Sequence, residues 1–282
     1  MKKTLIYIIG AGRSGTTLLD IMFGNIKDGI SLGEINRFYK RNGVPPKRDK
    51  TSKVFLFWNA YKNQLSITDF KALHKQSEQN EYHSAFFKST LRNNDTEYVD
   101  ALKKQYETLE FVTQERVLIE SSKYPTRALN ISTYLDKERF DIKYIYLKKD
   151  PVKVVRSFQK KNLEQPSKGF LMSNLYYLIV NILCQICVVI LRRRKHKVGV
   201  VKYEDLVNNS EGTIKELSIA LGEDCEELIK KLSKGEPLNT GYLFDGNRIR
   251  LKETLTLHSS TKKEKKTVKD NITRILNYIV YK

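Results

Sequence analysis

Leu5-Ile6-Tyr7-Ile8-Ile9-Gly10-Ala11-Gly12-Arg13-Ser14-Gly15-Thr16-Thr17-Leu18-Leu19 encodes, in one short stretch, a strand, a glycine-rich turn and the start of a helix. Consecutive apolar residues bounded by glycine suit a strand buried on both faces, as in a parallel sheet. Beyond the turn the spacing becomes helical: Leu18/Met22 and Leu19/Phe23/Ile26 recur at three and four residues, which starts a helix near Thr16. Its first N–H groups then face the loop and favour an anion there. Gly10 to Gly15 has the G-x-x-x-x-G frame of a phosphate-binding loop, but Thr16-Thr17 stands where a nucleotide triphosphatase has Lys-[Ser/Thr]. The positive charge lies inside the loop instead, at Arg13.

Working outward, the chain has 282 residues, enough for one α/β domain with insertions. Lys and Arg number 51 against 32 Asp and Glu, a net charge of +19, which favours a polyanionic cofactor, an acidic acceptor, a membrane surface or nucleic acid. The lysines are spread along the chain and no long basic tract alternates with aromatics, so nucleic acid is not expected as a partner. Cys184, Cys187 and Cys225 are too few, and too apolar in context, for a disulfide framework or a zinc site. Met1-Lys2-Lys3 before Leu5–Ile9 imitates a signal peptide, yet cleavage would destroy the phosphate loop, so a cytoplasmic protein is expected.

Residues 170–191, closed by Arg192-Arg193-Arg194-Lys195-His196-Lys197, are long and apolar enough to raise the question of a membrane span. Asn174, Asn181 and Gln185 stack on one helical face, which suits a buried helix turning one side to a polar cleft better than it suits lipid. Peripheral membrane contact through 170–197 is expected in preference to a span.

Val117-Leu118-Ile119, Tyr144-Ile145-Tyr146-Leu147 and Val198-Gly199-Val200-Val201 read as further short buried strands separated by helical segments. That alternation implies a three-layer α/β fold, a central parallel sheet flanked by helices, with ligands at the strands' C-terminal ends. Polar residues gather there. After Tyr144–Leu147, Asp150 is a good N-cap and Pro151 a good first helical residue, with Lys149 at the helix mouth and Ser157 about two turns in. After Val198–Val201, Lys202-Tyr203-Glu204-Asp205-Leu206 precedes an amphipathic helix capped by Ser210 and stopped by Gly222. Asp245-Gly246-Asn247-Arg248-Ile249-Arg250 reads as a turn followed by an extended segment with both arginines on one side.

The loop G-x-x-R-S-G-T-T-L-L after an N-terminal strand resembles the 5′-phosphosulfate loop of sulfotransferases that use 3′-phosphoadenosine 5′-phosphosulfate (PAPS). Lys149 and Ser157 are similar to the family's second signature, a basic residue and a serine eight positions later that hold the 3′-phosphate. Lysine replaces the usual arginine and offers a point charge without a fork. Ser122-Lys123-Tyr124-Pro125 resembles the S-K-x-P element of bacterial and Golgi-type members, and Gly33-Glu34-Ile35-Asn36-Arg37 resembles the G-E-x-x-R segment. Asp245–Arg250 is similar to a late G-N-x-x-R segment that closes over the nucleotide, and Lys202–Leu206 to a structural Y-E-D-L.

The resemblance implies one P-loop-type sulfotransferase domain over 1–282, with a helical acceptor-side insert at about 40–115; the lysine-rich tail from about 261 departs from the family and reads as a solvated helix. It implies that Gly12, Arg13, Ser14, Gly15, Thr16 and Thr17 hold the 5′-phosphosulfate and that Lys149 and Ser157 hold the 3′-phosphate, with Arg248 and Arg250 over the nucleotide. Glu34 would take the proton of an acceptor hydroxyl, and Lys123 with Arg13 would neutralise the leaving phosphate; no metal is implied. Phe55, Phe57, Trp58 and Tyr61 are either an acceptor wall or the core of the insert. Charge and the apolar segment suggest a saccharide or glycolipid acceptor. The rival readings are a P-loop kinase or nucleotide triphosphatase, and a basic nucleic-acid- or membrane-binding module.

Overall fold

The computed structural model describes residues 2–92, 94–160, 167–257 and 267–282. In chain order come β1 (Lys3–Gly10), α1 (Thr16–Phe23), β2 (Gly29–Gly33), and helices α2 (Lys53–Leu65), α3 (Phe70–Glu81), α4 (Phe86–Thr90) and α5 (Thr96–Val112). Then follow β3 (Val117–Lys123), α6 (Pro125–Tyr134), β4 (Phe140–Lys148), α7 (Pro151–Gln159), α8 (Phe170–Arg193) and β5 (Val198–Lys202). The chain continues with α9 (Tyr203–Asn208), α10 (Ser210–Leu221), α11 (Glu226–Ser233), a short hairpin of β6 (Leu238–Asn239) and β7 (Thr254–Leu255), α12 (Val268–Leu276) and α13 (Tyr278–Tyr281).

Strands β2-β3-β1-β4-β5 form one sheet, every neighbouring pair parallel, with β1 at its centre. The pleat explains why β1 is apolar throughout. Leu5, Tyr7 and Ile9 enter a core shared with α2, α5, α6 and α8, while Ile6 and Ile8 enter a second core under α1, α10 and α11. Tyr144 and Tyr146 of β4 alternate in the same way with Ile145 and Leu147. The result is the three-layer α/β fold expected, with all strand ends opening on one edge.

Four differences from the sequence reading have local causes. The sheet holds a fifth strand, β2, which the apolar runs did not reveal because Gly29-Ile30-Ser31-Leu32-Gly33 is a short edge segment with a serine at its middle. The polar stripe of α8 faces no cleft: Asn181 accepts from Tyr146 Oη (2.7 Å), Asn174 accepts from Asn277 Nδ2 (2.9 Å) and Gln185 donates to the Val280 carbonyl (2.9 Å). The C-terminal helix is therefore docked rather than solvated; Asp270 of α12 binds Arg156 of α7 (2.6 Å). The lysine-rich run itself falls largely within 258–266, outside the described residues. Helix α10 is capped by Asn209, whose side chain accepts from Gly212 N–H, and Ser210 is its first residue.

Helices α2–α5 occupy 53–112. Trp58 and Tyr61 are fully buried there and pack on Phe38 at ring-centroid distances of 6.0 and 4.9 Å, and neither they nor Phe55 and Phe57 line the cavities at the strand ends. Trp58 and Tyr61 belong to the core of this region, with Phe57 packed against it and Phe55 half-buried.

Candidate active site

The loop after β1 is shaped by two left-handed residues, Arg13 (φ 67°) and Gly15 (φ 101°). At Gly15 a side chain has no room: a Cβ would lie 2.4 Å from the Tyr203 ring. Tyr203 therefore presses on the loop from the end of β5, and α1 begins one residue later. The loop residues do not share one role. Arg13, Gly15, Thr16 and Thr17 line a cleft of about 350 Å³, whereas Gly12 lines a neighbouring cavity and donates its N–H to Tyr176 Oη (3.1 Å). Ser14 turns inward, with its hydroxyl buried and its N–H donating to the Ala11 carbonyl (3.3 Å). Gly12 and Ser14 thus stand apart from the lining that Arg13, Gly15, Thr16 and Thr17 share.

Across the cleft stand Lys149 and Ser157, as their spacing on either side of the α7 N-terminus dictates. Asp150 caps α7 by accepting from Val152 N–H (2.8 Å), so it is held as a structural cap. The Lys149 ammonium sits 3.8 Å from the centre of the Tyr203 ring, and burial lowers its pKa to about 8 against the opposing pull of Glu204. Lys160 and Arg248 add positive charge to the same walls. Arg248 arrives on a loop tied down by the Asn247 N–H on Thr17 Oγ1 (3.3 Å).

The segment carrying Arg248 is a helical turn, Arg248–Leu251, not the extended run expected, so its two arginines diverge. Arg250 is 1% exposed, donates to the Gly246 carbonyl (3.0 Å) and lies 3.8 Å from Asp245; it braces the loop from behind instead of reaching the cleft.

Glu34 and Lys123 stand at the junction of the two cavities and line both. Each is placed by backbone in the left-handed region. Gly33 (φ 77°) precedes Glu34 and gives its N–H to Asp20 Oδ2 (3.1 Å); a Cβ on Gly33 would approach the Asp245 carbonyl to 2.7 Å. Lys123 itself has φ 76°, unusual for a side chain longer than Asn, and such conformations cost on the order of 1 kcal/mol and persist only where the surrounding fold imposes them. The turn aims Lys123 at Glu34, with which it forms an ion pair, while Arg37 Nε holds the other carboxylate oxygen at 2.8 Å. Beneath them Asp20 is fully buried, and desolvation raises its pKa to about 8.

The second cavity, about 210 Å³, is walled by Tyr124, Phe158, Tyr176 and His83, with Arg37 and Lys168 at its margin. Phe158 lies under the Arg13 guanidinium, 4.9 Å from its carbon, and meets Tyr176 edge-on at 5.2 Å. Burial pushes the His83 imidazole down to about 4, so it is neutral at physiological pH. His83, Phe158, Lys160, Lys168 and Tyr176 were not singled out from sequence. The paired Tyr176-Tyr177, interrupting the apolar run of α8, was the available signal; His83, inside the helical insert, had none.

The chain's likenesses agree with this geometry. The sulfotransferase family model matches residues 6–227. The sulfotransferase domain of the Synechococcus PCC 7002 olefin synthase superposes with a TM-score of 0.52 at 18% identity, covering 100% of this chain and 97% of that one. The sulfotransferase domain from the curacin biosynthetic pathway gives a TM-score of 0.55 at 16% identity, covering 99% and 98%. At those identities the two structures speak for the fold alone, and no curated protein sequence matches significantly. The family match spans the C-terminal ends of β1 to β5, and on it the chain belongs to the sulfotransferase family.

Proposed function

We propose that the protein transfers the sulfuryl group of PAPS to an acceptor hydroxyl, and the observation that carries this reading is the sharing of Glu34 and Lys123 by two cavities of different chemistry. The larger cleft is cationic, with Arg13, Lys123, Lys149, Lys160 and Arg248 against one carboxylate, and suits a nucleotide bearing roughly four negative charges. Arg13 and the first turn of α1 would hold the 5′-phosphosulfate, Lys149 and Ser157 the 3′-phosphate. The aromatic cavity would hold the acceptor.

At the junction, Glu34 would take the proton as the acceptor oxygen forms its bond to sulfur. The bond from sulfur to the phosphate oxygen breaks in line, leaving its electron pair on that oxygen, where Lys123 and Arg13 offset the charge. The products are a sulfate ester, adenosine 3′,5′-bisphosphate and a proton released from Glu34 to solvent. The ion pair between Glu34 and Lys123 supports this division of labour, because both groups are already aimed at the point where one gains a proton and the other meets new negative charge.

For the acceptor we favour a saccharide or glycolipid. Rings such as Tyr124, Phe158 and Tyr176 can lie against the C–H faces of a sugar, and neutral His83 can donate or accept a hydrogen bond to a hydroxyl. The three cysteines, buried as free thiols, support a reducing cytoplasmic setting.

Calorimetry with adenosine 3′,5′-bisphosphate and with ATP, with and without magnesium, tests the donor before any acceptor is known. Tight, metal-independent bisphosphate binding that Arg13→Ala weakens is the expected result. Preference for magnesium-ATP would return the chain to the kinase reading, and no nucleotide binding would leave only a basic binding module.

A further inference from the structure

Helix α8 is used on one side only. Its inner face is committed to the protein through Tyr176, Tyr177, Asn181, Cys184, Cys187 and Leu191, yet Leu175, Ile179, Ile182, Ile186 and Val189 are 40–50% exposed at alternating spacings of four and three. Those spacings align them in one stripe along the helix. Alongside, α12 and α13 repeat the pattern: Val268, Ile272, Ile275 and Ile279 are exposed, and Asp270, Thr273, Asn277 and Val280 are buried. Asn277 and Val280 bind Asn174 and Gln185 of α8, so the two apolar stripes belong to adjoining helices.

The exposed charges of these two segments, 170–197 and 267–282, have one sign. Residues 170–197 contain no Asp or Glu, and 267–282 contain only Asp270, which is engaged by Arg156. Exposed Arg192, Arg193, Lys195 and Lys197 close the end of α8, and exposed Lys269 and Lys282 lie at the two ends of the C-terminal helices. Isolated exposed apolar side chains are ordinary; two neighbouring stripes bordered by uncompensated cations are a surface with a partner.

We propose that the outer face of α8, α12 and α13 docks peripherally on an anionic phospholipid surface, the apolar stripes entering the headgroup boundary and the cations meeting lipid phosphate. This inference does not rest on the sulfotransfer chemistry. Charge decides against a second copy as the occupant, since every copy carries the same net +19 and self-association works against it. The helix lies along the membrane rather than across it: half of its most apolar window is buried, and spanning would break the bonds from Asn174, Asn181 and Gln185.

Flotation of the full chain with phosphatidylcholine vesicles, with and without phosphatidylserine, tests this. Wild type should float only with the anionic vesicles and be released by salt. Ile182→Glu with Ile186→Glu, and separately Arg193→Glu with Lys195→Glu, should each weaken partitioning about tenfold or more while adenosine 3′,5′-bisphosphate binding and thermal unfolding stay as in wild type. Ile219→Glu, at an exposed position on α10 in the opposite helical layer, should change nothing. Absence of wild-type flotation, equal flotation with both vesicle types, or undiminished binding by the stripe variant overturns the proposal. So does a dimer in sedimentation velocity that Ile182→Glu with Ile186→Glu dissolves, because a second copy would then cover the stripe.

Discussion

The two cavities that meet at Glu34 are built in opposite ways. Most of the cationic cleft is made from short contiguous segments leaving the ends of parallel strands: 13–17 after β1, Lys123 on β3, and Lys149 and Ser157 across the β4–α7 junction, with Arg248 added from the loop between β6 and β7. The aromatic cavity draws His83 from the helical insert, Tyr124 from the β3–α6 turn, Phe158 from α7 and Tyr176 from α8. A phosphate can be held by backbone geometry and one or two charges, and a dozen residues can encode that. An acceptor cavity is a matter of side chains converging from distant elements. On the proposed assignment, the donor side is thus encoded locally, while the acceptor side can be altered by substitutions that leave the sheet untouched.

The sharpest break should come where the two sides meet. Glu34→Gln removes the proposed base but keeps the shape of the junction. PAPS turnover with an accepted hydroxyl should fall about 10²- to 10⁴-fold, with bisphosphate affinity changed little. A matching loss of nucleotide affinity would mean that Glu34 organises the donor side through Lys123 and takes no proton.

Next in size is a test of the donor side alone. Lys149→Ala deletes one charge-assisted contact, worth about 1.5–3 kcal/mol, so the Kd of adenosine 3′,5′-bisphosphate should rise roughly ten- to a hundredfold. Adenosine 5′-monophosphate, which lacks the 3′-phosphate, should bind wild type and variant alike. Equal losses for both ligands would remove Lys149 from the 3′-phosphate and leave it as packing against Tyr203.

How far these sides were legible in the sequence follows from the same contrast. Gly15 could be read because the left-handed turn beneath Tyr203 accepts no side chain, and Asp150-Pro151 because cap and first turn are adjacent in the chain. The conformation of Arg248–Leu251 was misread as extended, since a helical turn and an extended segment point alternate residues differently and nothing local distinguishes them. The amides of α8 were correctly grouped on one face, but what covers that face is Tyr146 of β4 at Asn181 and, about a hundred residues downstream, the C-terminal helices at Asn174 and Gln185. Strand β2 needed its neighbour β3 to become visible, and His83 is a lone imidazole whose meaning arises only when Tyr124 and Tyr176 pack against it at 5.0 and 6.3 Å.

The donor side should also carry a pH signature. Burial holds Lys149 near 8 in the free protein, and a bound phosphate raises it, so above that pH binding must take up a proton. Bisphosphate affinity should be flat near pH 7, where the 3′-phosphate is already largely dianionic, and fall about tenfold between pH 7 and 9. Lys149→Arg, charged throughout, should flatten that slope. A slope that persists in the arginine variant would assign the titration to another group.

The smallest effect probes a hydrogen bond that ties the two sides together away from Glu34. Tyr176, a wall of the aromatic cavity, accepts the N–H of Gly12 at 3.1 Å, so an acceptor-side residue holds the start of the donor-side loop. Tyr176→Phe keeps the ring against Phe158 and His83 and leaves that N–H to find water, at a cost of about 1 kcal/mol, or roughly fivefold in an equilibrium constant. If the loop depends on this bond, bisphosphate Kd and acceptor KM should both rise by that small factor, because a displaced Gly12 moves Arg13 beside it. If acceptor KM alone rises, the left-handed residues at Arg13 and Gly15 set the loop unaided and the cavities are independent in everything but Glu34 and Lys123. Thermal unfolding separates either outcome from simple destabilisation, since a loop bond at the cavity wall should shift the loop's ligands and leave the sheet's melting nearly unchanged.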